Sequence, residues 1–448
     1  MVAIGSRAKP ILVQQSKSTS KGKDAGDEYG RSPSENVVRR NIRILRMAAV
    51  WRPTGRWRSR VYPLYFGSVC ASMLHIGALA ILRSATIWGN MTEVTFALVS
   101  GLTCFNGAVK MIHHYTHSEA YYRLVDELNI LIDRQRPHCE GDAELDEALQ
   151  NAHRKAKRLT WGVLLYMFVL GQMWCIVPLF MQFPPDDPSS PLPLVTITRV
   201  HKVHNHTLYS LAYLSECHTV LYWNWSSLGM DVFFGSIMIH VTGQLNILNI
   251  RLSRLRGGGP GEDLSQYSSF GKGGEQLKGD IRDSASMYAE LCECVKDHQE
   301  ILRYLDFLEN LMNPVPLAQF LLCVGGICLT LYQITFNPDD GGVIECILFL
   351  PIPALQIFIY CWAGHGIMEE SEYVSFAAYS CRWGGSDRKV TDVLRIVMSR
   401  AHRATMLTAG KVHPINRDTF LSLLNASYSF YTLLRQMKNL EEENEASS

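Results

Sequence analysis

Apolar residues in this chain gather into seven long blocks separated by polar stretches. They span residues 62–82, 94–112, 159–180, 227–248, 314–336, 343–363 and 415–434. Each approaches the roughly 20 residues that a helix needs to cross the hydrocarbon core of a bilayer. In lipid a backbone must satisfy its own hydrogen bonds, which suits helices. The blocks are too continuously apolar for the alternation of barrel strands. The pattern therefore predicts an all-α membrane protein with seven transmembrane helices. Two blocks depart from a plain apolar span. The fourth carries Asp231, His240 and Gln244, and the seventh is short in its apolar part and rich in Ser, Thr and Tyr.

The polar stretches carry further organisation. Residues 287–311 place Leu291, Val295, Leu302, Leu305 and Leu308 at helical spacing. Residues 389–406 alternate apolar and basic positions, and the two stretches together predict a helical cytoplasmic anchor region. Residues 1–36 read as a disordered cytoplasmic tail, because their composition is polar and they lack the apolar core of a signal peptide. Residues 37–438 form one seven-helix domain. Residues 257–274 are a Gly- and Ser-rich flexible cytoplasmic insert, and 439–448 a short extracellular tail. The proline-rich stretch 181–220 is the one sizeable loop on the far side.

Charge orients the helices. The chain holds 43 Lys and Arg against 42 Asp and Glu, so its net charge excludes nothing. Their distribution is informative, because Lys and Arg collect on the cytoplasmic side of membrane proteins. With the N-terminus inside, 38 of the 43 fall in inside segments and 5 outside. Eight arginines lie between Arg39 and Arg60, next to the first span. Seven spans then leave the C-terminus extracellular, the reverse of a G-protein-coupled receptor. The sequons at Asn90 and Asn205 fall in outside loops and are the expected glycosylation sites. Asn224 heads a third sequon, at the edge of the fourth span.

Candidate chemistry is sparse. No P-loop, nucleophile elbow, HExxH or dinucleotide fingerprint is present, so no enzymatic activity and no cofactor are expected. The group Cys292, Cys294 and His298 reads as a reduced thiol pair on a cytoplasmic helix rather than a metal site. Asp231 is expected to meet a His or a backbone group inside the bundle, and His240 to make an interhelical hydrogen bond. Cys217 lies in the outside segment. A bond from it to Cys346, at the outer end of the sixth span, has no support in the sequence.

Residues 406–437 read MLTAGKVHPINRDTFLSLLNASYSFYTLLRQM. This resembles the C-terminal signature of insect odorant receptors: an LTAGK run at 407–411, Thr419-Phe420, Ser427-Tyr428-Ser429, and Thr-Leu-Leu-Arg at 432–435. Upstream, 356–383 resembles the exit of that family's sixth helix, with Cys361, Gly364, Ser371, Tyr379 and Trp383 in place. The gustatory branch carries Thr-Tyr, five residues, then Gln-Phe. Here Ser429-Phe430 and Gln436-Met437 keep the spacing but not the identities, which favours the odorant branch and its ligand-specific subunits over the co-receptor.

The resemblance implies an odorant-gated, non-selective cation channel. In such a channel four subunits, including the co-receptor, surround a pore lined by the seventh helix. The implied setting is the plasma membrane of olfactory neurons, with small volatile molecules as ligands and no nucleic-acid partner. Aligned with the family's pore helix, the gate falls at Leu433, Gln436 and Met437. The ligand pocket is implied among the outer halves of helices two, three, four and six. Candidates facing it are Phe96, Ser100, Phe168, Gly171, Cys175, Met230, Phe234 and Phe349. A gustatory-type channel working as a homomer is the alternative.

Overall fold

The computed structural model describes residues 37–52, 56–86, 91–181, 206–255, 273–336 and 340–447. The expected tail 1–36, nearly all of the insert 257–274, and Asn90 and Asn205 lie outside the described residues. The elements in order are α1 (Arg39–Met47), α2 (Arg56–Thr86), α3 (Met91–Thr116), α4 (Ser118–Cys139), α5 (Ala143–Met181) and α6 (His206–Ser253). Then follow α7 (Gly273–Met312), α8 (Pro314–Phe336), α9 (Asp340–Phe349), α10 (Pro351–Ser380) and α11 (Arg388–Ala401). A two-residue hairpin, β1 (Thr408–Ala409) and β2 (His413–Pro414), precedes α12 (Arg417–Ser447).

The long helix α6 is the central post. It packs against α5 on one side and α10 on the other, while α3 bridges α2 and α8, and α12 lies on α8 and α10. The apolar blocks became helices, with two changes of detail. The sixth is broken at Leu350 into α9 and α10, because Pro351 and Pro353 start a helix well but cannot donate the bonds that would continue one. Residues 439–447, expected as a tail, continue α12. Judged by length and hydropathy, three helical stretches among the described residues could cross a membrane: Ala143–Ile176, Pro314–Phe336, and Cys346–Ser380, which runs from the end of α9 through Leu350 into α10. Helices α6 and α12 carry polar residues inside their apolar stretches.

Helices α4, α7 and α11 pack together around the C-terminal end of α6, the anchor end of the bundle, while α1 lies further along α6, against Gly229 and Ser236. The amphipathic pattern of 287–311 lies on α7, and the basic stretch from 389 on α11. The sequence reading missed α4, although Tyr121, Leu124, Val125, Leu128, Leu131 and Ile132 form its buried stripe. It also missed α1, which Asn41 ties to the core: its Nδ2 donates to Ser236 Oγ (2.6 Å), and Thr160 donates to its Oδ1 (3.0 Å). Asp297 of α7 pairs with Arg134 Nε of α4 (2.9 Å) and Arg251 Nη1 of α6 (2.5 Å), joining three helices through one buried carboxylate.

His298, next in the chain, is buried, and that burial, with Arg400 nearby, lowers its pKa from 6.5 to about 4. The folded protein then resists a proton that the unfolded chain accepts near pH 6.5. Stability therefore falls as pH drops below about 6.5, and the loss levels off below about 4. Between pH 7 and 5 it amounts to about 2 kcal/mol. Thermal melts of the purified protein should show this acid sensitivity, and His298→Gln should weaken it.

The LTAGK run proves to be the hairpin that turns the chain from α11 into α12. Gly410 (φ +63°) and Lys411 (φ +57°) occupy the left-handed region. A Cβ on Gly410 would also lie 2.5 Å from Leu317 Cδ2 of α8. Its N–H donates to Asn313 O at the α7–α8 junction (3.1 Å). Gly410→Val therefore combines strain of about 1–3 kcal/mol with overpacking of about 1–3 kcal/mol. It should lower the yield of folded protein in size-exclusion profiles, and Lys411→Ala should not.

Candidate functional site: a polar core, an outer cavity and an unpartnered helix

Deep between α3, α6, α8 and α10 lies a connected set of polar side chains. Lys110 Nζ of α3 donates to both oxygens of Asp231 on α6 (2.6 and 2.8 Å) and to Ser227 Oγ (3.2 Å). Tyr360 OH of α10 donates to Asp231 Oδ1 (2.9 Å). Gln356 donates through Nε2 to Ser227 Oγ (2.9 Å), and its Oε1 accepts from Gln319 Nε2 of α8 (2.8 Å). Asn106 closes the set by donating to Gln319 Oε1 (2.7 Å). Lys110 and Asp231 are 1% and 0% exposed. Each charge is neutralised by the other and by hydrogen bonds, the condition under which ions survive burial. The sequence reading expected a His or backbone partner for Asp231; the structure corrects this, giving it Lys110 and Tyr360. The i+4 spacing of Ser227 and Asp231, and of Gln356 and Tyr360, was the available signal. His240 makes the expected interhelical bond, its Nε2 lying 3.2 Å from Nδ1 of His153.

Toward the other end, a small cavity of about 20 Å³ is lined by Val99 and Ser100 of α3, Trp174 of α5, Thr330 and Gln333 of α8, and Cys346 and Phe349 of α9. Of the residues expected to face a pocket, Ser100 and Phe349 meet here. The rest are dispersed. Cys175 neighbours Trp174 and contacts Cys217 of α6. Gly171 abuts α6, where a Cβ would meet Leu221 Cδ2 at 3.1 Å. Met230 and Phe234 are fully buried, Phe234 among Tyr121, Phe233 and Tyr360. Phe168 is 57% exposed on the outside of α5. Phe96 lies on α3, with its side chain outside the described residues. Trp174 was missed on α5, and Thr330 and Gln333 were missed because α8 was not expected to line the pocket.

Helix α12 packs one face only. Tyr431 contacts Cys328 and Tyr332 of α8, and its hydroxyl meets Thr335 Oγ1 (2.8 Å). On the other side Leu421, Tyr428, Phe430, Leu433, Met437 and Leu440 are all exposed, Leu433 and Met437 at 54% and 55%. Gln436 is exposed beside them. The hydroxyls of Ser422, Ser427, Ser429 and Thr432 donate to carbonyls three or four residues earlier in the same helix (2.8–2.9 Å). Polar as it looks in sequence, the helix answers most of its own hydroxyls. What stays open is an apolar stripe punctuated by Asn425 and Gln436.

This one-chain bundle has the architecture of insect olfactory receptors. The olfactory receptor OR5 of Machilis hrabei superposes with a TM-score of 0.71 at 14% identity, covering 89% of this chain and 97% of that one. Its structure in complex with eugenol gives 0.69 at 15%. The sequence profile of the 7tm odorant receptor family matches residues 90–428. The chain belongs to that family. Odorant receptor Or2 of Anopheles gambiae is 22% identical over 386 residues, covering 85% of this chain and 94% of that protein. Odorant receptor 13a of Drosophila melanogaster is 21% identical over 406 residues, covering 85% and 90%. As a member of this family the chain is a membrane receptor of olfaction and not an enzyme.

Proposed function

We propose that this chain is the ligand-specific subunit of an odorant-gated, non-selective cation channel, assembled as a heterotetramer with the odorant co-receptor. It sits in the plasma membrane of olfactory sensory neurons. The observation that carries the reading is the unpartnered stripe of α12. A helix that leaves Leu433, Gln436 and Met437 uncovered in the single chain is suited to face a pore or neighbouring subunits. Apolar rings gate narrow pores by dewetting, and amide oxygens tolerate partly hydrated cations. The anchor end carries the basic clusters and faces the cytosol, which leaves the end of α12 outside.

Ligands are small volatile molecules, taken up near the cavity at Ser100, Trp174 and Phe349. Its lining mixes aromatic and hydroxyl groups, and its volume of about 20 Å³ admits little more than a water, so α3, α5, α8 and α9 must part there to take a ligand; a neighbour in fold is solved in complex with eugenol. Opening draws on tighter ligand binding to the open state. The reading is tested by expressing the chain in oocytes with and without a co-receptor and applying odorant panels. Odorant-evoked cation currents should require both subunits. Currents of equal size from this chain alone would support a gustatory-like homomer, an arrangement that membership in the odorant family does not favour.

A further inference from the structure

We infer that Cys175 and Cys217 form a disulfide that staples the outer ends of α5 and α6. This rests on the orientation adopted above, in which that end faces the secretory lumen and then the cell exterior.

The geometry comes from the antiparallel pairing of the two helices. Asn224 Nδ2 of α6 donates to Met167 O of α5 (3.1 Å). One turn further out Gly171 faces Leu221, so closely that even a methyl group there would press on Leu221 Cδ2 at 3.1 Å. The missing side chain lets the backbones approach. One more turn, four residues on in α5 and four back in α6, brings Cys175 opposite Cys217, and their side chains are hydrogen-bond partners. Both are half-buried rather than sealed in the core. The two thiols, unbonded in this structure but in hydrogen-bond contact, must still close to the S–S length of about 2.05 Å.

The chemistry follows from the compartment. Disulfides form and persist in the secretory lumen and at the cell surface, and are reduced in the cytosol. The oxidant is a lumenal dithiol–disulfide oxidoreductase in its disulfide form. The thiolate of Cys217 attacks the carrier disulfide and releases one carrier thiolate. The thiolate of Cys175 then displaces the second carrier sulfur from the mixed disulfide. The two receptor thiols lose two protons and two electrons, and the carrier leaves as a dithiol. Trp174, next to Cys175, lines the outer cavity, so the bond would fix that wall of the cavity against α6.

The test uses the full chain co-expressed with its co-receptor. Thiols are blocked with N-ethylmaleimide in intact cells before lysis. The surface-biotinylated pool is then digested and mapped by mass spectrometry. The expected result is a peptide containing Cys175 linked to one containing Cys217, released by reduction and lost in both Cys175→Ser and Cys217→Ser. Recovery of both cysteines as maleimide adducts, or of either linked elsewhere, overturns the inference. Two further readouts then show which premise failed. A glycosidase-sensitive mass shift abolished by Asn205→Gln reports that the outer end met the lumen, leaving the sulfur geometry at fault. Without that shift, a link formed only after copper-phenanthroline treatment of isolated membranes places the fault in the orientation. Odorant currents, measured separately, show whether the channel reading survives.

Discussion

Asp231→Leu should remove most of the folded receptor, while Lys110→Met/Asp231→Leu should restore much of it. In the single variant the Lys110 ammonium stays buried with Ser227 as its remaining partner. Breaking a buried ion pair from one side costs about 3–5 kcal/mol, and Tyr360 also loses the acceptor of its hydroxyl. Such a loss is comparable to the whole stability of many domains. Replacing both charges by apolar groups of similar size removes the stranded charge, and such swaps are often neutral. The measurement is surface biotinylation together with fluorescence-detected size exclusion of the solubilised protein. Equal losses in the single and double variants would show that the hydrogen bonds through Gln356 and Gln319, rather than the charge balance, hold the four helices together.

The second large effect concerns α12. Leu433→Ser and Met437→Ser place hydroxyls on the stripe that the single chain leaves open. If these side chains ring the closed pore, the variants wet it, and resting current should rise several-fold without odorant. Leu434→Ser, on the side that packs near Tyr332 and Tyr431, should lower expression instead, with no leak. Two-electrode recordings normalised to surface protein separate the outcomes. Unchanged resting currents in both Leu433→Ser and Met437→Ser would remove these residues from the gate.

Much of this fold was legible because lipid imposes a simple rule on sequence: a long apolar run becomes a helix. The blocks lie on α2, α3, α5, α6, α8, α9–α10 and α12; the amphipathic run at 287–311 lies on α7, and of the run at 389–406 the part to Ala401 lies on α11, the rest being non-helical. What escaped depended on side chains distant in sequence. Lys110 and Asp231 are 121 positions apart, so no local pattern links them. Lys110 stands alone at the end of an apolar run and gains a visible partner only when α6 is laid beside it. Pocket-facing residues were harder still. A one-residue change of helical phase turns Phe168 outward while Met167 stays buried. Gly171 and Cys175 mark the contact of α5 with α6 rather than the cavity. The hairpin glycine was visible as a motif, but its role needed the φ of Gly410 and the position of Leu317.

The central claim is that α12 lines a cation-conducting pathway. Its most direct test is accessibility to a positively charged thiosulfonate reagent. Cysteine is placed singly at Leu433, Gln436, Met437 and Leu434, and the reagent is applied during odorant stimulation of the complex with the co-receptor. The account predicts irreversible block at 433, 436 and 437 and none at 434 or in the unmodified chain. Block at 434 alone, or at none of the four positions while odorant currents persist, would contradict it.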